Sequence, residues 1–191
     1  PAAVAGRRLS SSCLPAGAGR DYRDDGTYLE VTHGRATGMD DEAGIYARES
    51  PFLDRYVQLG VAQGRVISVS FPATPDEGAV SDHELLDRIE AYLQGTEDDF
   101  GDVTVALTVP TDQRKVLDAV RAIPYGEQRS VEQLARVTAG LDPEEDGDLI
   151  LVREALDENP APLLIPDHRV RDGPSAAPAE VEQKLRAVEG L

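Results

Sequence analysis

At 191 residues and 20.5 kDa, the chain is long enough to bury one sizeable core or two small ones. Its formal charge of −17 and pI near 4.4, with acids spread along the whole length, argue against nucleic-acid binding by a basic footprint; a solvated acidic shell of this kind suits a halophile. One cysteine, Cys13, excludes an internal disulfide, the three histidines (His33, His83, His168) offer no zinc spacing, and no run of about 18 apolar residues marks a membrane span.

Residues 1–41 form the first segment. Its Gly-, Ser- and Arg-rich composition predicts disorder at least to Arg20, and its apolar content is too broken for a signal peptide. Met39, the sole methionine, allows two accounts of this stretch: an appended arm, or an upstream extension of a chain that starts at Met39. On either account Cys13 is incidental.

Residues 42–106 carry the next pattern. "AGIYARES" and "RYVQLGVAQGRVISVSFP" are β-rich runs, the second folding back around Gln63-Gly64 as a hairpin. "SDHELLDRIEAYLQG" predicts a helix with a capping box at Ser81 and Glu84, an apolar stripe at Leu85, Leu86, Ile89 and Leu93, and a stop at Gly95.

Residues 107–191 turn helical. "TDQRKVLDAVRAIP" places Val116, Leu117, Val120 and Ile123 on one face and stops at Pro124. "SVEQLARVTAG" has a capping box at Ser130 and Gln133 and a glycine stop at Gly140; "LILVREALDEN" follows with Asp148 as its N-cap. Two short helices joined by a turn outline a helix-turn-helix. "PAPLLIPDHRV" reads as a buried strand delivering Asp167, His168 and Arg169. "PAEVEQKLRAVEG" is a closing helix, with Pro178 in its first turn, a stripe of Val181, Leu185 and Val188, and a stop at Gly190. The class is therefore α+β.

The order "IPYGEQRSVEQLA", "NPAPLLIPDHRV", "KLRAVEG" resembles the methylated-DNA–protein-cysteine methyltransferases, or alkylguanine-DNA alkyltransferases, from about Ile45 onward and most strongly over 115–191. The resemblance implies a small ribonuclease-H-like sheet-and-helix unit over 42–106, then a winged-helix-like unit containing the helix-turn-helix over 107–191. It also implies a DNA-repair protein without cofactor or metal whose partner is double-stranded DNA, a partnership weakened by the acidic charge and the lost contact residues. A cytoplasmic monomer is the expectation, its location inferred from the absence of a signal peptide or membrane span in the sequence.

In that family a Pro-Cys-His-Arg tetrad supplies the thiolate that takes the alkyl group, a soft nucleophile activated by the adjacent imidazole. Carried over by position, Asn159 matches the family's asparagine, His168 its histidine and Glu189 its glutamate, while Asp167 stands in place of the cysteine. Asn159 before Pro160 also suits a plain turn, and Glu189 an exposed acid in a last turn. A carboxylate is a hard, solvated, weak nucleophile, and its ester would be open to hydrolysis, so stoichiometric self-alkylation is not expected.

The positions that touch DNA depart as well. Val131 replaces the tyrosine after the helix-turn-helix serine, Ile150 the arginine that fills the space left by a flipped base, and Arg153 lies one turn on; Arg169 completes the candidate nucleic-acid set. Glu154, Asp157 and Glu158 would repel a phosphate backbone. The sequence therefore points to an alkyltransferase homologue that does not self-alkylate, with a diverged binding or damage-recognition role. The alternative is an alkyl-removing enzyme in which Asp167 forms an ester that a His168-activated water cleaves.

Overall fold

A computed structural model describes residues 43–191. The expectations for residues 1–41, with Cys13 and Met39, lie outside these described residues. Three strands, β1 (Gly44–Ser50), β2 (Arg55–Ala62) and β3 (Arg65–Ser70), form an antiparallel sheet in the order β1-β2-β3. Gln63 and Gly64 take φ of 53° and 66°, and this left-handed pair turns the chain in the sense the strand twist requires. Alternate residues of β2, namely Val57, Leu59 and Val61, are buried, as one covered face demands. The β2–β3 register shifts by one residue between Gly60 and Val61. A side chain at Gly60 would have its Cβ 2.6 Å from the Ser68 hydroxyl oxygen and 3.2 Å from Ile67 Cγ1, so the absence of a side chain lets the strands close at the bulge without moving Ser68.

Helix α1 (Glu84–Leu93) lays Leu85, Leu86, Ile89, Tyr92 and Leu93 against the core. Its start differs from the expected Ser81–Glu84 capping box. Val80 is held extended along β1 by bonds from Ala47 N–H to its carbonyl (2.9 Å) and from its own N–H to the Ile45 carbonyl (3.0 Å). Arg48 then takes the Ser81 carbonyl (2.9 Å), which keeps Ser81 out of the helix, and His83 becomes the cap by accepting the Leu85 N–H on Nδ1 (3.1 Å). At the other end the Gly95 and Thr96 amides reach back to the Tyr92 and Ala91 carbonyls, a double return that the φ of +95° at Gly95 permits. Residues 104–106 then bridge the free edge of β3 through Val66.

Four more helices follow: α2 (Thr111–Arg121), α3 (Val131–Val137), α4 (Asp146–Asp157) and α5 (Ala179–Glu189). The stripe of α2 is buried as its spacing implies, and Ile123 joins it just before Pro124. The α3 capping box forms in both directions, with Gln133 N–H donating to Ser130 Oγ (3.2 Å) and Ser130 N–H to Gln133 Oε1 (2.8 Å). This helix ends at Val137, before Gly140, because the Thr138 hydroxyl takes the Leu134 carbonyl (2.8 Å) while the Thr138 backbone turns extended. Asp148 is not the cap of α4, which begins two residues earlier. Its carboxylate accepts the Asp142 N–H (2.7 Å) and so ties down the preceding loop from within the first turn. Pro178 is the residue before α5 rather than in its first turn, and Gly190 closes α5 at φ 72°.

The expected strand at 161–166 is absent. Pro160, Pro162 and Pro166 remove three ladder donors, Leu163 takes φ 84°, and the segment coils through a Pro162–Ile165 bridge into a single 3-10 turn at Asp167–Arg169. It is nonetheless fully buried. Leu163, Leu164, Ile165 and Val170 belong to the same apolar core as the sheet and the helices. Val69 N–H donates to the Pro160 carbonyl (2.9 Å), so β3 is sewn directly to the coil that carries Asp167.

Candidate functional site

Asp167, His168, Arg169, Asn159 and Glu189 converge where the coil, α1 and α5 meet, and each is buried. Asp167 has no solvent exposure. One carboxylate oxygen accepts the Ser175 hydroxyl (2.8 Å); the other accepts Asn159 Nδ2 (2.9 Å) and the Ala176 N–H (3.1 Å). Asn159 also donates to the Ile165 carbonyl (2.9 Å) and accepts the Ala161 N–H (3.1 Å). It therefore closes the 159–167 loop on itself, which is more than a turn former before proline does. Burial pushes the Asp167 carboxyl above the ordinary carboxylate range, against the pull of the Asn159, Ser175 and Ala176 donors.

His168 faces away from this group on its Nε2 side, which lies 2.9 Å from Glu189 Oε1. Its Nδ1 is buried and has no hydrogen-bond partner among the described residues. Glu189 is the hub. It receives Tyr92 Oη (2.5 Å), Arg169 Nε (2.9 Å) and the Gly126 N–H (3.2 Å) besides His168. Burial alone would raise this carboxyl; the bonds from His168, Arg169 and Tyr92 outweigh it and hold Glu189 down at about 2. Tyr92 is pushed far above the usual phenol range by burial and by that same carboxylate. Arg169 also reaches the Ile123 carbonyl (2.5 Å) and Asp99 (3.1 Å), which joins α5, α2 and the loop after α1. It is 3 % exposed and is committed to the interior.

The other residues read as DNA contacts are scattered. Val131 is buried at the start of α3, and its N–H is taken by Asp172 (2.8 Å), so it offers a surface ligand nothing. Ile150 stands 54 % exposed on α4. Arg153 is exposed on the same helix and donates to the Asp172 carbonyl (3.2 Å). Glu154, Asp157 and Glu158 are exposed beside it. Tyr92 and Ser175 carry weight in the site but are not singled out by the sequence reading. A tyrosine inside the apolar stripe of α1 is the one advance signal, since a buried hydroxyl needs a partner.

Residues 111–189 match the family model for the 6-O-methylguanine DNA methyltransferase DNA-binding domain. The methylated-DNA–protein-cysteine methyltransferase of Methanopyrus kandleri is 33 % identical over 117 residues, covering 60 % of this chain and 84 % of the relative. That of Metallosphaera sedula is 28 % identical over 133 residues, covering 66 % and 81 %. The chain belongs to the methylated-DNA–protein-cysteine methyltransferase family. Among solved structures, the Mycobacterium tuberculosis O6-methylguanine methyltransferase shares the fold with a TM-score of 0.60 at 24 % identity, over 78 % of this chain and 92 % of that one. Mycobacterium tuberculosis OGT in complex with DNA matches at TM-score 0.54 and 28 % identity, over 68 % and 79 %. The family takes its name from a protein cysteine, yet this methyltransferase relative has only Cys13, outside the described residues, and an aspartate at the head of its buried Asp-His-Arg turn.

Proposed function

We propose that this chain is a DNA-binding member of the alkyltransferase family that does not alkylate itself and has diverged toward a binding or damage-recognition role in DNA repair. The observation that carries this reading is that Asp167, which the resemblance sets where the family has its acceptor cysteine, is shut from solvent and held by Asn159, Ser175 and Ala176. An acceptor must present a free lone pair in line with the alkyl carbon. Here both oxygens already accept bonds from the chain itself, and the group is the wrong kind of nucleophile for a carbon centre. The ester-and-hydrolysis alternative gains little from the geometry, because Asp167 and His168 are both shut from solvent and the unpartnered Nδ1 of His168 has no path to an incoming water.

The finer architectural description belongs to the same proposal. A three-stranded meander with α1 on one face supports a reduced ribonuclease-H-like unit over 42–106. The α3–α4 pair supports a helix-turn-helix in a winged-helix-like unit over 107–191. The acidic surface supports a halophilic, intracellular setting, and a monomer is the simplest state for it. A mobility-shift titration in molar salt, using alkylated and unmodified duplexes, tests the function. Binding of duplex is expected; a preference for the alkylated duplex identifies a damage sensor, equal binding identifies the diverged binding role, and no binding to either contradicts the proposal.

A further inference from the structure

Among the described residues the arginines fall into three groups: paired with carboxylates, donating to backbone carbonyls as Arg114, Arg121 and Arg153 do, or without a side-chain partner as at Arg65, Arg129, Arg136 and Arg171. Arg48, Arg55, Arg88, Arg169 and Arg186 each pair with a carboxylate. Arg129, Arg136 and Arg171 form no side-chain hydrogen bond or ion pair among the described residues, although the chain holds 36 acids to 19 bases. Arg129 and Arg136 lie together, and Arg171 belongs to the backbone segment that pairs with Arg129. Arg129 and Arg136 line one groove of about 220 Å³ along α3 with Gln128, Gln133 and the 54 % exposed Val137, and no carboxylate lines it. Arg171 is joined to Arg129 by its N–H to the Arg129 carbonyl (3.1 Å), while Arg129 N–H returns to the Arg169 carbonyl (3.0 Å). Arg153, across the gap on α4, reaches the neighbouring Asp172 carbonyl.

The nearest acids do not cancel this row. Asp172 directs Oδ1 at the Val131 N–H (2.8 Å), and Glu132 and Glu127 are exposed but outside the groove lining. A groove walled by guanidinium and amide groups is built for anions, and guanidinium pairs are favoured for phosphate because of their fork geometry. A row of such groups suits repeated phosphates better than a single one.

We propose that Arg129, Arg136 and Arg171 form the contact for a duplex phosphodiester backbone, so that DNA is held along the outer side of α3 rather than across α4. This rests on the DNA-binding reading above and specifies where the duplex lies. The acids Glu154, Asp157 and Glu158 on α4 argue for the same displacement, since they repel phosphates where the helix faces outward. Salt acts on both sides: the Debye length falls from about 10 Å at 0.1 M to about 3 Å at 1 M, which hides the distant acidic shell, while each phosphate contact also weakens as salt rises.

The test is fluorescence-anisotropy titration of the full chain with a labelled duplex over a salt series from about 0.1 M to molar. The Arg129→Gln/Arg136→Gln double variant is compared with Arg129→Lys/Arg136→Lys and with Arg65→Gln, which removes an exposed arginine from the far hairpin. The glutamine pair is expected to weaken binding on the order of tenfold, equally for alkylated and plain duplex, because phosphate contacts carry no sequence information. The lysine pair should recover most of the loss and Arg65→Gln should bind as the parent does. Circular dichroism melting guards against misfolding, and a melted glutamine pair is replaced by the Arg171→Gln single variant, for which the same loss is expected. Unchanged affinity in the glutamine variants, or an equal loss in Arg65→Gln, overturns the interface while leaving DNA binding intact. Failure of the parent chain to bind duplex overturns the DNA-binding reading itself, and the interface with it.

Discussion

Glu189 carries more buried polar interactions than any single group can lose lightly. Its removal in Glu189→Gln leaves Arg169 buried beside a neutral amide, a change that typically costs about 3–5 kcal/mol. The pH dependence has a definite sign. The Glu189 carboxyl is lowered in the fold from an ordinary value of 4.5 to about 2, so its stabilisation is complete above pH 4.5 and is lost as pH falls toward 2. Urea unfolding of the parent should show stability dropping across that window, and the Glu189→Gln variant should lose this part of the slope. Asp167 shifts the other way: its raised carboxyl makes the ionised form a liability as pH rises through the folded value. Asp167→Asn keeps the shape, can accept from Asn159 and Ala176, and can donate to Ser175. It should equal or exceed the parent in stability at neutral pH, with the gain vanishing in acid. Asp167→Ala strands those donors and should cost about 1–3 kcal/mol; thermal melts of the two variants separate the cases. Asn159, His168 and Glu189 were legible in the sequence through the order of motifs around them. Tyr92 and Ser175 were not, because their roles depend on which distant segment the fold brings alongside, and nothing local in "EAYLQG" or "DGPSAAP" says that.

At the scale of elements, periodicity served where it reported burial and failed where a neighbour decided the boundary. The stripes of α1, α2 and α5 and the Gln63-Gly64 hairpin follow from spacing alone. Two serines with the same apparent signature behave differently. Ser130 closes a true capping box, whereas Ser81 is pulled into the extended edge by Val80 and Arg48. Ser130→Ala should therefore cost about 1 kcal/mol and Ser81→Ala close to nothing, measured by chemical denaturation. The strand read at 161–166 failed for a related reason: continuous apolar residues report burial but not conformation, and three prolines in seven positions exclude a ladder.

For the whole molecule the balance is between a continuous apolar interior and an acidic exterior. The core runs unbroken from the β-meander through α5, and the Asp167 and Glu189 clusters lie inside it, so the site is as much a structural keystone as a chemical centre. The net charge of −17 should make stability rise with added salt, as screening relieves self-repulsion; a melting series from dilute to molar salt checks this. On the proposed reading, an alkyltransferase framework persists without its acceptor chemistry because Asn159, His168, Arg169 and Glu189 tie the coil, α1 and α5 together whether or not a nucleophile stands beside them. The most direct measurement of the central claim is intact mass of the chain after incubation with duplex carrying an alkylated guanine, with methanol release followed in parallel. An unchanged mass and no methanol are expected; an alkyl adduct on Asp167, or turnover that Asp167→Asn abolishes, would contradict it.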